Sequence, residues 1–108
     1  MHSVVVLSQD PMRHGDRALG QKLLGTFLEK SIALGGFEAI VLLNSGVKLV
    51  AQDSSVLAEL RMPGERGVDL VPCGTCLAHF GITPAAGKVS DMDTILSELD
   101  RAAKVITL

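Results

Sequence analysis

The chain has 108 residues, a formal net charge of -2 and 47% hydrophobic residues, while aromatic residues make up only 3%. This length predicts one domain, residues 1–108, with a core of its own. The charge offers no attraction for nucleic acid, and few aromatic rings are present for base stacking. No apolar run approaches the roughly 20 residues that span a bilayer, and the segment after Met1 is not a secretory signal. We therefore expect a cytoplasmic protein that binds neither nucleic acid nor membrane.

Apolar runs alternate with segments of helical periodicity along the chain. Continuous apolar runs bounded by polar residues indicate buried strands, and apolar residues three or four apart indicate helices. The first part of the chain predicts a strand at Ser3–Ser8, a helix from Asp16 to Gly35-Gly36 and a strand at Glu38–Leu43. A tight turn at Asn44–Gly46 and a short helical turn at Val47–Val50 follow, then a helix capped by Asp53 or Ser54 and stopped by Pro63-Gly64, and a strand at Val68–Val71. The last part predicts a helix at Cys73–Phe80 closed by Gly81, a weak strand at Lys88–Ser90, a helix capped by Asp91 and a strand at Lys104–Leu108.

This alternation predicts an α/β domain with a mostly parallel, five-stranded sheet, because parallel strands need crossover connections, usually helices. In open sheets of this kind ligands bind beyond the carboxyl ends of the strands. The segments expected there are Ser8–Asp16, Asn44–Lys48, Pro72–Thr75 and Ser90-Asp91.

Two cysteines, Cys73 and Cys76, fall in this region as a C-x-x-C pair. That spacing places both sulfurs within one helical turn, and a helix start favours the thiolate of Cys73. Gly74 allows close approach of the backbone to a bound group, and Thr75 offers a hydroxyl. Without a secretory signal, such a pair indicates chemistry or metal binding rather than a structural disulfide. The alternatives are a buried structural thiol at Cys73 and simple packing of Cys76.

Other residues are weaker candidates. His79 completes a C-x-x-C-x-x-H pattern, but on a straight helix it points about 120° away from Cys73, so we expect no metal site. Lys48 could hold a thiolate or an anionic substrate, and Asn44 is expected to stabilise its own turn. His14, in a loop, has no partner in the sequence. The chain lacks the glycine-rich motifs of dinucleotide and nucleotide sites, so we expect no cofactor.

The segment GVDLVPCGTCLAHFGI, Gly67–Ile82, resembles the DsrE/DsrF-like sulfur-relay family. Four further stretches resemble the C-terminal domain of selenium-metabolism proteins described as sulfurtransferase-like, and the similarity covers nearly the whole chain. They are VVVLSQD at Val4–Asp10, HGDRALG at His14–Gly20, NSGVKL at Asn44–Leu49 and the final KVITL.

The resemblance implies a Rossmann-like three-layer α/β/α sandwich, assembled as a trimer or hexamer. It also implies that a cysteine at the position of Cys73 takes up sulfur as a persulfide. Family members often have glycine where this chain has His14. The selenium-metabolism proteins usually carry an additional N-terminal domain with a sulfur-accepting cysteine, so we expect the sulfur donor of this chain to be another protein.

The leading hypothesis is a sulfur-transfer protein with Cys73 and Cys76 as catalytic residues. In this hypothesis Gly74, Thr75, Asn44 and Lys48 contact the substrate, and Cys76 releases or protects the bound sulfur by closing a disulfide. One alternative is a thiol–disulfide redox protein that uses the same pair. Another is a non-catalytic oligomeric binding module. The apolar fraction of 47% exceeds what a small core needs, so we expect a homo-oligomer.

Overall fold

The computed structural model describes residues 3–12, 14–34 and 37–108. The strands are β1 (Ser3–Leu7), β2 (Ala39–Leu42), β3 (Asp69–Pro72) and β4 (Lys104–Thr107). The α-helices are α1 (Arg17–Ser31), α2 (Leu57–Glu65), α3 (Gly74–Phe80) and α4 (Met92–Arg101). A 3-10 turn, Ile32–Leu34, follows α1, and a longer 3-10 segment, Asn44–Val50, follows β2 and is called the 3-10 segment below. None of the helices in these ranges has the length and apolar character needed to cross a bilayer.

The strands form one parallel sheet in the order β3-β2-β1-β4. Val4 of β1 lies between Ala39 of β2 and Val105 of β4. The last four residues of β1 and all of β2 are buried, which explains their continuous apolar sequence, whereas most of β4 is exposed at the sheet edge. The predicted α/β class with a mostly parallel sheet is therefore confirmed.

The sheet has four strands in the described part of the chain, and the predicted fifth strand at Lys88–Ser90 is wrong. Only one bridge remains there, between Ser90 and Cys73. This segment offers one apolar residue, Val89, whose side chain is exposed, so there is little burial to hold a strand against β3.

Side chains alternate between the two faces of the sheet and form two apolar clusters. Val5, Leu7 and Ile40 lie on one face with residues from α1, α2, α3 and the 3-10 segment, among them Leu24, Leu60, Leu77 and Val47. Val4 and Val41 lie on the other face with Ile95 of α4. The three-layer arrangement of helices around a sheet is thus present, and α4 alone supplies the buried helical residue on the second face.

Helix boundaries follow their capping residues in most places. Asp16 accepts a hydrogen bond from the N–H of Leu19 at 2.8 Å, and Asp91 accepts one from Thr94 at 2.8 Å, as expected for N-caps. Gly81 adopts the left-handed conformation, with φ of 66°, that ends α3. The predicted end of the first helix at Gly35-Gly36 lies outside the described residues.

The predicted boundaries of α2 are wrong at both ends. Val56 precedes the first turn without a side-chain cap, and Ser54 instead accepts a hydrogen bond from the N–H of Val56 at 3.3 Å. The helix continues through the buried Pro63 to Glu65. Pro63 lacks the N–H that would donate to the carbonyl of Glu59, but its side chain is buried and its own carbonyl accepts hydrogen bonds from Arg66 and Val68, which close the last turn.

Candidate functional site

The cysteine pair lies at the carboxyl edge of the sheet, where β3 passes into α3. The N–H of Cys73 donates to the carbonyl of Leu42 at 3.0 Å, which continues the β2–β3 pairing. The next residue, Gly74, begins α3, so Cys73 occupies the N-cap position. The strand-to-helix junction predicted from the sequence is therefore present.

Gly74 packs closely against Val89 and Ser90, in the segment that precedes α4. Its N–H donates to the carbonyl of Ser90 at 2.7 Å. A Cβ at this position would lie 2.9 Å from the same oxygen and 3.0 Å from a methyl group of Val89. The close approach expected at this glycine is thus made by the segment that precedes α4.

The two cysteines are free thiols that differ in exposure. Cys73 is only 3% exposed, which agrees with the alternative interpretation of this residue as a buried thiol and not with a freely accessible nucleophile. It packs in the apolar cluster of Val71 and Ile95 and is bordered by Ser90. Cys76 is half-buried and lies where the two apolar clusters meet.

The thiols have opposite shifts in pKa. Burial raises the pKa of the Cys73 thiol, but hydrogen bonding from the backbone and side chains of Cys76 and Thr75 outweighs burial, so the pKa lies below its ordinary value. These interactions with the Cys73 sulfur are weaker than an N-cap hydrogen bond, which the Cys73 side chain does not form. Burial raises the pKa of Cys76, the N–H of Asn44 lowers it, and the neighbouring Cys73 raises it further. The pair therefore favours a thiolate on Cys73 and a proton on Cys76.

Asn44 reaches the site through its backbone. Its N–H donates to Sγ of Cys76 at 3.1 Å, across 32 residues of sequence. The residue adopts a left-handed conformation, with φ of 50°, at the start of the 3-10 segment. The sequence predicted that Asn44 stabilises its own turn and contacts the substrate, and the structure joins this turn to the cysteine pair.

Lys48 lies near the pair but does not contact it. Its Nζ lies 4.7 Å from the ring centroid of Phe80, and no carboxylate in the described chain pairs with it. His79 also packs on Phe80, edge to face, with 5.0 Å between ring centroids. His14 is exposed in the loop before α1.

The sequence analysis missed an ion pair between Asp10 and Arg17. Asp10 follows β1, is 5% exposed and accepts a hydrogen bond from the guanidinium of Arg17. That hydrogen bond lowers the pKa of Asp10, burial partly opposes it, and the charges of Arg17 and Lys48 lower it further. The available signal was an acidic residue just after a buried strand, in a segment expected to border ligands.

Two cavities adjoin these elements. One, of 550 Å³, lies among Asp10, Arg17, Lys48 and Phe80. The other, of 680 Å³, lies along the free edge of β3 beside residues 86–90. Neither thiol lines either cavity, so a ligand held in one of them would have to extend to reach sulfur.

Comparison with solved structures identifies the fold. The crystal structure of the YchN protein from E. coli is similar with a TM-score of 0.73 and 13% identity, covering 100% of both chains. A conserved protein of unknown function from Bacteroides thetaiotaomicron, BT1422, is similar with a TM-score of 0.69 and 22% identity, covering 98% of this chain and 94% of that one. The chain therefore has the same fold as the YchN protein. No family model and no curated protein matches the sequence.

Proposed function

We propose that this chain is a sulfur-relay protein, related to the C-terminal domain of the selenium-metabolism protein YedF, that carries sulfur as a persulfide on Cys73. The observation that supports this proposal is the placement of two free thiols together at the carboxyl edge of the sheet, where interactions with Cys76 and Thr75 lower the pKa of Cys73 despite its burial. A lower pKa favours the thiolate, which is the reactive form of the nucleophile.

Loading and delivery are two displacements at sulfur. The thiolate of Cys73 attacks the outer sulfur of a donor persulfide, the donor S–S bond breaks, and the donor leaves as a thiolate. An acceptor thiolate then attacks the outer sulfur on Cys73, leaves with it as a persulfide, and restores the Cys73 thiolate. The oxidation state of the protein is unchanged over the cycle.

Cys76 provides a second exit for the sulfur. Cys76 gives up its proton, and its thiolate attacks the inner sulfur of the Cys73 persulfide, which forms the Cys73–Cys76 disulfide. The outer sulfur leaves as hydrosulfide and can take up that proton. The two cysteines are oxidised and the transferred sulfur is reduced, so the electrons balance. A reductant thiol must then reopen the disulfide before the next cycle.

The burial of Cys73 means that loading needs local opening. The bordering segment is held at Ser90 by two backbone hydrogen bonds, from its own N–H to Pro72 and from Gly74 to its carbonyl. Its neighbour Val89 is exposed. Displacing these hydrogen bonds together with the packing of Ile95 in the same apolar cluster would uncover the sulfur without unfolding the sheet.

A thiol–disulfide redox function is the second candidate, and the 3% exposure of Cys73 favours it. Such a protein needs no room for an added sulfur beside that residue. Cys76, the more exposed thiol, would meet the partner, and Cys73 would close the disulfide.

Intact mass after incubation with a persulfide donor separates the two functions. The relay function predicts a gain of about 32 Da, one sulfur atom, that is absent in Cys73→Ser and present in Cys76→Ser. The redox function predicts only a loss of about 2 Da that both substitutions abolish. The second pattern, without any sulfur adduct, would contradict the relay proposal.

A further inference from the structure

We propose that the 550 Å³ cavity beside the cysteine pair, called the charged cleft below, binds a small thiol with both a carboxylate and an ammonium group, such as the amino acid cysteine. This inference rests on the proposed function, because the bound thiol would be the acceptor or the carrier of the relayed sulfur. The cleft residues used in the argument are Asp10, Arg17, Gln21, Lys48, Asp53 and Phe80.

The charged cleft lies where parallel sheets of this kind hold their ligands. Asp10 follows the end of β1, and Lys48 lies in the 3-10 segment that follows β2. Phe80 and Ile82, at the end of α3, form an apolar part of the wall. The volume of 550 Å³ falls within the range of small-molecule sites, about 300–1,000 Å³.

The charges of Asp10 and Arg17 neutralise each other within the cleft. The Asp10 side chain is 7% exposed, so it is committed to this partner, whereas the Arg17 side chain is 60% exposed and retains further N–H donors. The ion pair holds the guanidinium of Arg17 at the N-terminus of α1. It therefore supplies donors without adding net charge.

Two opposite charges in the cleft have no such partner. Lys48 and Asp53 both line it, yet within the described ranges neither side chain forms an ion pair. A ligand carboxylate would pair with Lys48, and a ligand ammonium with Asp53. A zwitterion matches both charges, while a ligand of one charge leaves one of them unpaired.

Neutral groups complete the match to a small amino acid. The side-chain oxygen of Gln21 accepts a hydrogen bond from Ser55 at 3.2 Å, which leaves its amide N–H groups as donors for a carboxylate. Phe80, already under Nζ of Lys48, offers an apolar surface to the carbon chain.

The cleft adjoins the cysteine pair along two elements. Phe80 lies four residues after Cys76 on α3, and residues at this spacing are neighbours on a helix surface. Lys48 belongs to the same 3-10 segment as Asn44, whose N–H contacts Sγ of Cys76, and its Nζ lies over the ring of Phe80. The thiol of a ligand whose carboxylate pairs with Lys48 would thus point along α3 and the 3-10 segment, towards the sulfurs of Cys73 and Cys76.

The test measures binding to the Cys73→Ser/Cys76→Ser protein by calorimetry, so that no thiol chemistry with the protein occurs. The probes are L-cysteine, 3-mercaptopropionate, which lacks the ammonium, and cysteamine, which lacks the carboxylate. We expect each truncated probe to bind roughly tenfold or more weakly than L-cysteine, the loss of one charge-assisted contact.

Single substitutions in this background assign each contact. Lys48→Met should weaken L-cysteine and 3-mercaptopropionate and leave cysteamine unchanged, whereas Asp53→Asn should weaken L-cysteine and cysteamine and leave 3-mercaptopropionate unchanged. Lys22→Met is the matched control, because Lys22 is an exposed lysine of α1 that does not line the cleft. It should bind all three probes like the parent.

Absence of L-cysteine binding, or equal binding of the three probes, would overturn the inference. So would equal effects of Lys48→Met and Lys22→Met. Because the assay contains no protein thiol, its failure leaves the sulfur-loading measurement untouched, and a failure of sulfur loading would not alter these binding curves.

Discussion

Among single residues, Cys73 and Cys76 carry most of the proposed chemistry, and each depends on the other. Cys73 keeps its pKa low despite burial because Cys76 and Thr75 donate towards its sulfur. We predict that Cys76→Ala raises the pKa of Cys73, since one donor is lost and burial remains. Thiolate absorbance in the ultraviolet, followed against pH, measures this shift even for a buried thiol.

The reciprocal variant is the control for that titration. In Cys73→Ala the remaining thiol loses the neighbour that raises its pKa. The parent protein loses its two thiol protons in two steps that belong to the pair and not to single residues. Cys76 in the variant should therefore titrate at lower pH than the second of these steps. A Cys76→Ala titration that coincides with the first step of the parent would contradict the proposed effect of the Cys76 side chain on the pKa of Cys73.

Gly46 determines how the 3-10 segment fits against β1. A Cβ there would lie 2.1 Å from the carbonyl oxygen of Leu7, which is backbone and cannot move aside. We predict that Gly46→Ala lowers the free energy of unfolding by about 2–3 kcal/mol or more, as in an overpacked core. It should also weaken the Asn44 contact with Cys76, because both residues lie in the same turn.

Gly25→Ala provides the comparison for this unfolding measurement. Gly25 lies inside α1, where a Cβ would make an ordinary contact of 3.5 Å with Val56. The substitution should be neutral or stabilise by up to about 1 kcal/mol, as alanine is the better helix former. Equal urea midpoints for the two variants would contradict the close contact at Gly46.

Among the elements of the fold, the segment between α3 and α4 borders Cys73 through Ser90, and we propose that it controls access to the sulfur. In a Cys76→Ser background, Gly74→Ala should push Ser90 and Val89 outward, because its Cβ would lie within 3.0 Å of both. We predict faster alkylation of Cys73 by iodoacetamide at constant pH. Gly25→Ala in the same background should leave the rate unchanged.

Unchanged or slower alkylation in Gly74→Ala, with native circular dichroism, would contradict the idea that this segment covers the sulfur. The same measurement tests how loading can occur in the resting fold. If opening limits the reaction, the alkylation rate should become independent of reagent concentration at high concentration.

Several elements were predictable because local patterns determine them. Strands β1 and β2 are continuous apolar runs, and Asp16 and Asp91 are capping residues at helix starts. The end of α2 was not, because the sequence shows the missing N–H of Pro63 but not the burial of its ring, which the rest of the fold supplies. The prediction of a strand at Lys88–Ser90 was wrong because strand pairing depends on burial by the rest of the fold, and the sequence of three residues does not show that burial.

The candidate site was predictable in part for the same reason. The spacing of Cys73 and Cys76, and the junction that holds them, can be read locally. The burial of Cys73 depends on α4 and on Ser90, which return to it from later in the chain. The pairing of Asp10 with Arg17 needs the loop geometry between β1 and α1.

For the whole molecule, we propose a homo-oligomer formed through the sheet face that α4 covers. Apolar side chains remain exposed around that face, among them Val89, Met92, Leu96 and Val105. Val105 is aligned with Val4, which belongs to the apolar cluster under α4. An exposed apolar region of this kind is typical of subunit contacts.

We predict that Leu96→Glu shifts the sedimentation coefficient to that of a monomer, because Leu96 is 57% exposed on α4 in the isolated chain. Leu23→Glu is the matched control, since Leu23 is 47% exposed on α1, in the opposite layer. A monomeric parent protein, or equal behaviour of the two variants, would contradict this interface.

Sulfur transfer from the loaded protein to an acceptor tests the whole account most directly. The Cys76→Ser variant is loaded with sulfur, freed of donor and mixed with an excess of acceptor thiol, and the masses of both are followed over time. The account predicts that the protein loses about 32 Da as the acceptor gains the same mass, and that the mapped sulfur lies on Cys73. Sulfur found only on other residues, or a Cys73 adduct that never passes to the acceptor, would contradict it.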